Sequence, residues 1–240
     1  MPGKLIVAGW HIGNINDLPN RTREALMSAD MILCENVEDF IENCKRDKVD
    51  HIDDVRNILE FNDASMHSSF INYLNEDKEV VLVCYEGMPT IADPGQVLVQ
   101  IATSAKIEVD VIPGPVAPIS CLAISGFKTD KFLIEKEFTK TPKEKIEYFN
   151  TLKDFNGSII LFEEYDTIIP SIKAIKEVFK NTRRIGLFVD ITMPSRQIIT
   201  GMPDKVLEEA LKLNLHKHIK ITLIINGYIA YWHDENNYGD

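Results

Sequence analysis

Short apolar runs alternate with amphipathic segments along most of the chain. In the first half, runs with the length and continuity of buried strands cover residues 4–9, 31–35, 79–85 and 107–112. The segments between them carry apolar residues at helical spacing, which predicts helices over residues 20–30, 65–77 and 95–105. Continuous apolar strands separated by helices are typical of parallel strands covered on both faces, so an α/β domain is expected here.

The pattern restarts after a proline-rich segment. Strands are predicted over residues 132–138, 157–164, 184–191 and 218–228, and helices over residues 142–155, 167–181 and 203–214. Three prolines and a glycine fall between Pro113 and Pro118, which indicates a boundary. The predicted fold class is therefore α/β with two α/β lobes, residues 1–115 and residues 116–240, and a cleft between them.

Composition and charge narrow the classes of function. The chain has 240 residues and a formal net charge of −11, which argues against broad non-specific binding to nucleic acid while leaving room for a local basic patch. The four cysteines form no Cys-x-x-Cys pair and the six histidines do not cluster at ligand spacing, so no metal site is expected. We expect a cytoplasmic protein, because the cysteines fall in positions typical of buried thiols and no signal peptide is recognisable. We expect no membrane contact, because no apolar run is long enough to cross a bilayer.

Three loops rich in glycine and proline each follow a predicted strand. They cover residues 9–14, 87–95 and 113–117. In a parallel sheet the carboxyl ends of the strands meet at one edge, and open α/β sheets bind their ligands there. Each loop alone has a plain alternative as a strand-to-helix turn, but three at one edge predict a ligand site built largely from main-chain atoms.

These motifs carry a family resemblance. The segment from Val80 to Ala102 resembles the signature of tetrapyrrole-methylase-like (class III) S-adenosylmethionine methyltransferases, and in particular the branch that methylates a cytidine ribose 2'-oxygen in small-subunit ribosomal RNA. The positions that coincide across the motifs are Ile12, Gly13, Asn14, Glu35, Gly87, Pro89, Asp93, Pro94, Gly95, Gly114, Pro115, Ala117, Ser125 and Gly126.

The resemblance implies S-adenosyl-L-methionine as cofactor, bound in the cleft between the lobes. Gly87 would let the main chain approach the methionine part, Pro89 would fix the turn, and residues 115–117 would face the adenine. Asp93, followed by Pro94, would instead cap the next helix. The implied cofactor-binding residues are His11, Ile12, Gly13, Glu86, Gly87, Met88, Pro89, Ile91, Ala92, Pro115, Val116 and Ala117.

Several positions depart from the pattern of that branch. Tyr85 replaces an acid, with Glu86 one place later, and Asn36 replaces the aspartate after Glu35. Arg196 is the only obvious cation where the branch carries a lysine in its second lobe. Cofactor binding through main-chain atoms tolerates such changes, whereas the methyl acceptor is left open.

A general base would assist a ribose hydroxyl, which is a poor nucleophile. Glu35 is the candidate catalytic residue, and its alternative role is a hydrogen-bonded carboxylate that orders a loop. His11 and Glu86 are the other titratable groups predicted at this sheet edge, and His11 beside Trp10 is also typical of packing.

Contacts with RNA have candidates in both lobes. Cations that could meet phosphates are Lys128, Lys131, Lys136, Lys140, Lys143, Lys145, Arg183, Arg184 and Arg196, although the interleaved acids favour a solvated, salt-bridged surface instead. Trp10, Tyr85 and Tyr165 could stack on a base or simply pack.

Three hypotheses remain at this point. The first is an S-adenosylmethionine-dependent methyltransferase that acts on ribosomal RNA or the small-subunit particle. The second is a class III methyltransferase for another acceptor, such as a tetrapyrrole precursor or a peptide. The third is a non-catalytic binding protein that keeps the fold. A homodimer is implied by the family resemblance alone.

Overall fold

The structure is a computed structural model that describes residues 3–49, 58–60, 66–92, 95–136, 141–217 and 219–228. The chain divides into two compact units, Met1–Ala117 and Pro118–Asp240. Each unit has its own sheet and its own apolar core, in keeping with the α/β class predicted from the sequence.

The described part of the first unit forms a five-stranded sheet. Its strands are β1 (Lys4–Ala8), β2 (Met31–Cys34), β3 (Ile58–Glu60), β4 (Glu79–Leu82) and β5 (Glu108–Ile112), in the spatial order β3-β2-β4-β1-β5. Every neighbouring pair is parallel, which confirms the expectation from the continuous apolar runs. The short edge strand β3 was not predicted.

Apolar side chains cover both faces of this sheet. Leu5 and Val7 of β1 pack with Phe70 on one face, while Ile6 and Ala8 pack with Trp10 on the other. The helices that supply the two layers are α1 (Asn20–Ser28), α2 (Val37–Arg46), α3 (Met66–Asn75) and α4 (Gln96–Ser104). Because successive side chains of β1 point to opposite faces and both faces are covered, residues 5–8 are all apolar.

Helix α2 was missed in the sequence, although its ends carry clear signals. Asn36 is the N-cap, and its Oδ1 accepts a hydrogen bond from the Asp39 amide at 2.9 Å. Glu38 and Asp39 lie in the first turn, and the last turn is basic, so charges at both ends suit the helix dipole. This helix and the residue that follows it support two of the three glycine- and proline-rich loops.

The second unit contains a mixed sheet. Its strands are β6 (Phe132–Glu135), β7 (Ser158–Glu163), β8 (Ile185–Val189), β9 (Gln197–Gly201) and β10 (Ile221–Ile225), in the order β6-β7-β10-β8-β9. β6 and β7 are parallel, whereas the other described pairs are antiparallel. β9 was not predicted, because three of its five residues are polar or glycine and it lacks a continuous apolar run.

Two apolar layers enclose this second sheet. The larger layer packs on α6 (Pro142–Thr151), α7 (Ile168–Phe179) and α8 (Pro203–Ala210), and the smaller contains Cys121 and Leu122 of α5 (Ala117–Ser125). Among the residues that the structure describes, no helix is both long and apolar enough to cross a membrane.

One predicted phosphate contact is wrong for a structural reason. Lys145 is buried in the larger layer, where its Nζ donates to Ser171 Oγ at 2.7 Å and lies 3.8 Å from Glu163 Oε1. A lysine held in this way is part of the core and cannot reach a polyanion. Lys140 lies outside the described residues.

Candidate active site

The three glycine- and proline-rich loops lie side by side at the carboxyl edge of the first sheet. The Trp10 amide donates to the Gly87 carbonyl at 2.7 Å, and the Gly87 amide donates to the His11 carbonyl at 3.3 Å. The Gly9 amide donates to the Ile112 carbonyl at 2.9 Å, next to the third loop. The convergence predicted from parallel topology is confirmed.

The first and third loops touch through their main chains. A Cβ atom on Gly9 would lie 2.4 Å from Gly114 Cα, and a Cβ atom on Gly114 would lie 2.6 Å from Gly9 Cα. Neither distance is possible between real atoms, so both positions require glycine. The glycines therefore bring two strand ends closer together than side chains would allow.

The middle loop is shaped by an unusual backbone. Gly87 and Gly95 have φ angles of 80° and 103°, and Thr90 and Ala92 adopt 72° and 57° without being glycine. The left-handed region costs an ordinary residue about 1–2 kcal/mol, and such strain tends to occur at functional sites. Helix α4 begins at Gln96 with Gly95 as its N-cap. The prediction of Asp93 as the N-cap with Pro94 at the first helical position is therefore wrong, although these two residues themselves lie outside the described part of the chain.

The buried carboxylate of Asp47 anchors the first loop through hydrogen bonds to two of its side chains. Asp47 follows α2, and its Oδ2 accepts hydrogen bonds from Trp10 Nε1 at 2.8 Å and from His11 Nε2 at 2.7 Å. Arg46 donates through Nε to Oδ1 at 2.8 Å and through Nη2 to Oδ2 at 3.0 Å, and Arg23 binds the Asp47 carbonyl at 2.9 Å. Burial alone would raise the pKa of Asp47, but the hydrogen bonds from Arg46, His11 and Trp10 outweigh it and lower that pKa.

The hydrogen bonds of His11 show which of its ring nitrogens carries the proton. Its Nδ1 accepts a hydrogen bond from the Gly13 amide at 3.0 Å, so the ring proton lies on Nε2 and is donated to Asp47. Both ring nitrogens are engaged and the side chain is 2% exposed. The imidazole consequently positions the loop, and its candidacy as a general base is wrong.

Trp10 also belongs to the support of the loop. Its ring is 1% exposed and lies edge-on to Phe40, with the ring centroids 6.1 Å apart. Stacking of Trp10 on a nucleic-acid base is therefore excluded. Asn43 of α2 supports the middle loop in a similar way, since its Nδ2 donates to the Tyr85 carbonyl at 3.3 Å.

Glu35 lies where β2 ends, beside a small cavity of about 90 Å³. The cavity is lined by Cys34, Glu35, Asn36, Asp39, Phe40, Cys84 and Tyr85. Burial raises the pKa of the Cys34 thiol to about 12, so this cysteine is not a nucleophile at neutral pH. The half-buried Glu35 and the exposed Asp39 are the carboxylates that line this cavity, and the Tyr85 ring, 44% exposed, lies at its opening.

The other predicted site residues fall into three classes of exposure. Ile12, Gly87 and Pro89 are buried, whereas Ile91 is exposed. The half-buried group consists of Gly13, Glu86, Met88, Ala92, Pro115, Val116 and Ala117. In the described ranges, no three His, Cys, Asp or Glu side chains are grouped so that they could hold a metal ion.

Comparison with known proteins identifies the family. The profile of the tetrapyrrole (corrin/porphyrin) methylases matches residues 4–205, which covers most of the chain and all three loops. The chain belongs to the tetrapyrrole methylase family. This confirms the resemblance drawn from the loop motifs, and it makes the protein a methyltransferase by family membership.

Curated relatives within this methylase family align over nearly the whole chain. A Thermotoga maritima protein named ribosomal RNA small subunit methyltransferase I is 30% identical over 229 residues, which are 94% of this chain and 99% of the relative. A protein of the same name from Mesomycoplasma conjunctivae is 30% identical over 207 residues, or 86% of each chain.

Solved structures of methylases support the fold. The methyltransferase CobJ has a TM-score of 0.63 and 14% identity, with 94% of each chain covered. Uroporphyrin-III-C-methyltransferase from Thermus thermophilus has a TM-score of 0.59 and 14% identity, with 93% of this chain and 94% of that chain covered. These likenesses confirm the predicted two-lobed α/β methylase fold.

Replacing Asp47 by asparagine should destabilise the protein at neutral pH. The amide would leave buried donors without a charged acceptor, so we expect the free energy of unfolding to fall by about 3 kcal/mol. Because the pKa of Asp47 is lowered by folding, its contribution is complete above the unfolded value of about 3.9 and is lost as the pH falls through the lower folded value. Urea unfolding at pH 7 and between pH 4 and pH 2 measures both effects.

Glu42→Gln is the matched control, because Glu42 is exposed on the same helix and this change also removes one negative charge. We expect it to change the free energy of unfolding by about 0.5 kcal/mol or less. Equal losses for the two variants would contradict the role given to Asp47.

Ala92→Gly should leave the stability unchanged or raise it by up to about 1 kcal/mol, because glycine relieves the positive φ at this position. Ala123→Gly is the comparison, since Ala123 is exposed within α5 and its loss should cost about 1 kcal/mol. Denaturant unfolding of both variants tests the strain, and a similar loss in both would argue that Ala92 is not strained.

Proposed function

We propose that this methylase uses S-adenosyl-L-methionine to methylate a ribose 2'-oxygen in small-subunit ribosomal RNA. The observation that carries the proposal is the junction of three main-chain loops at Gly87, formed by motifs that resemble the RNA-methylating branch. The names of the curated relatives support the RNA acceptor, since 99% of the Thermotoga maritima protein aligns with this chain.

The residues around Gly87 fit a folded nucleoside cofactor. A Cβ atom on Gly87 would lie 3.4 Å from the Pro115 carbonyl oxygen and 3.5 Å from Ile12 Cγ2, so all three loops meet at Gly87 and a ligand at this junction would face their main-chain atoms. Ile12 and Met88 offer apolar contacts for the methionine part. Main-chain groups of residues 115–117 would meet the adenine.

The bound cofactor supplies an electrophilic methyl group on a sulfonium. The protein contributes position, because in-line displacement is accelerated when the acceptor oxygen is held close to the methyl carbon. Glu35 would accept the proton that leaves the ribose hydroxyl as the oxygen–carbon bond forms. Tyr85, exposed at the opening beside Glu35, offers an aromatic face to the base of the acceptor nucleotide.

A second acceptor class has specific support. The net charge of −11 and the replaced polar positions Tyr85 and Asn36 favour a small acceptor over a polyanion. The solved neighbours include proteins named for uroporphyrin-III and cobalt-precorrin-4 methylation. A tetrapyrrole precursor or a peptide is therefore the alternative acceptor, and we expect a cytoplasmic homodimer in either case.

The deciding experiment supplies methyl-labelled cofactor to the purified protein. Small-subunit ribosomal RNA, intact small subunits and a uroporphyrinogen are offered in parallel, and products are identified by mass spectrometry. Label in 2'-O-methylcytidine is the expected result. Label only in the tetrapyrrole would replace the RNA acceptor, and binding of cofactor without any transfer would favour a non-catalytic protein.

Gly87→Ala should weaken binding of S-adenosylhomocysteine about tenfold, as measured by calorimetry. The substitution forces a side chain into a backbone with φ of 80°, and relief of that strain would shift the main chain of the middle loop that faces the ligand. Gly126→Ala is the control, because Gly126 has a φ of 68°, has open space around it and lies outside the three loops. It should lose similar stability but keep its affinity. Equal affinity in both variants would remove Gly87 from the cofactor site.

Glu35→Gln should lower the rate of methyl transfer by about 100-fold or more, with little change in cofactor affinity. The amide cannot accept the hydroxyl proton, although it can preserve hydrogen bonds that order the loop. Glu38→Gln provides the control, since Glu38 is exposed in the first turn of α2. Single-turnover rates across pH measure the difference, and an unchanged rate in Glu35→Gln would show that this carboxylate only orders the loop.

A further inference from the structure

An open cavity of about 480 Å³ lies within the second unit, at the sheet edge where β7 and β8 begin and β10 ends. It is lined by Lys153, Asp154, Asn156, Val178, Phe179, Lys180, Thr182, Arg183 and Tyr228. Val178, Phe179 and Arg183 are buried and form its floor, while the other lining residues are exposed at the rim. None of these residues belongs to the loops at the candidate active site.

Arg183, on the floor of the cavity, has hydrogen-bond acceptors for one terminal nitrogen of its guanidinium group but not, in the described part of the chain, for the other. Its Nη2 donates to the carbonyls of Lys153 at 2.8 Å and Phe155 at 2.7 Å, and its guanidinium carbon lies 4.8 Å from the Phe179 ring centroid. The side chain is 3% exposed, and its Nη1 has no hydrogen-bond partner among the described residues. A buried guanidinium donor without an acceptor is costly, so an acceptor entering this cavity would be favoured.

Lys180 on the rim occupies a backbone position that is poorly suited to lysine. Its φ of 51° and ψ of −130° favour glycine. A lysine at such a position sacrifices local stability, and strain of this kind tends to be found where a side chain has a task. Here the task would be to place an ammonium group beside the Arg183 guanidinium.

The charge of the cavity contrasts with that of the chain. Lys153, Lys180 and Arg183 bring three positive charges against the single carboxylate of Asp154, whereas the whole chain carries −11. Burial lowers the pKa of Arg183, and the nearby Asp154 carboxylate opposes that shift. The half-exposed Tyr228 adds an aromatic face at the rim.

We propose that this cavity is a phosphate-binding subsite, in which an anionic oxygen accepts from Arg183 Nη1 and the ammonium groups of Lys180 and Lys153 neutralise the charge. With an RNA substrate the phosphate belongs to the nucleic-acid backbone, and Tyr228 stacks on an adjacent base. The RNA source rests on the proposed function. Free phosphate shares the same chemistry and is the other source.

Lys180→Gly is the most informative variant, because it removes the charge and relieves the backbone at the same time. We expect its Tm to rise while its affinity for a small-subunit ribosomal RNA transcript falls several-fold. Lys153→Gln should also weaken binding, and each variant should reduce the slope of log affinity against log salt by about 1. Lys173→Gln, an exposed lysine of α7 outside the cavity, is the control and should behave as the wild type.

Inorganic phosphate provides the second arm of the experiment. It should raise the Tm of the wild type and of Lys173→Gln more than that of Lys180→Gly. A phosphate effect without any RNA effect would assign the cavity to free phosphate. If Lys180→Gly and Lys153→Gln match Lys173→Gln in both arms, the subsite is refuted, whatever the result of the methyl-transfer assay. If the phosphate arm succeeds but no RNA is methylated, the subsite stands and the proposed function fails.

Discussion

The candidate site depends on one buried carboxylate. Asp47 accepts hydrogen bonds from Trp10 and His11 of the first loop, so the negative charge lies directly beneath the main chain that Gly9 and Gly13 shape. Arg46 compensates that charge from the surface side. A loop whose function requires exposed main-chain atoms cannot stabilise itself with those atoms, so its order must come from side chains packed beneath it.

The position of the site was predictable from sequence because its signals are local. Gly87, Gly114 and their neighbouring prolines mark bends directly after strands, and parallel topology then places those bends at one edge. Backbone strain at Thr90 and Ala92 has no such signature, since neither residue type favours a positive φ. The general shape of the loop was thus accessible, whereas its strain required coordinates.

The support of the site was not predictable, because its contacts join distant parts of the chain. Trp10 and Asp47 are 37 residues apart, and nothing in the spacing of either residue indicates the other. The second sheet illustrates the same limit. Apolar runs located β7, β8 and β10, but strand direction depends on how connections cross the sheet, and β9 has too few buried positions to be recognised. Burial of Lys145 likewise reflects a partner, Glu163, on another element.

The structure explains how the chain accommodates Asn36 and Tyr85, two departures from the pattern of the RNA-methylating branch. Asn36 caps α2 through its side-chain oxygen, which is the role an aspartate would fill equally well, so that replacement preserves the helix that supports the loops. At position 85 it is the main-chain carbonyl that Asn43 holds, while the tyrosine ring faces outward. Both changes therefore leave the main-chain frame intact and alter the surface that an acceptor would meet. A frame built from main-chain atoms tolerates changes in the side chains at its surface, so the shape of the loops and the choice of methyl acceptor depend on different atoms.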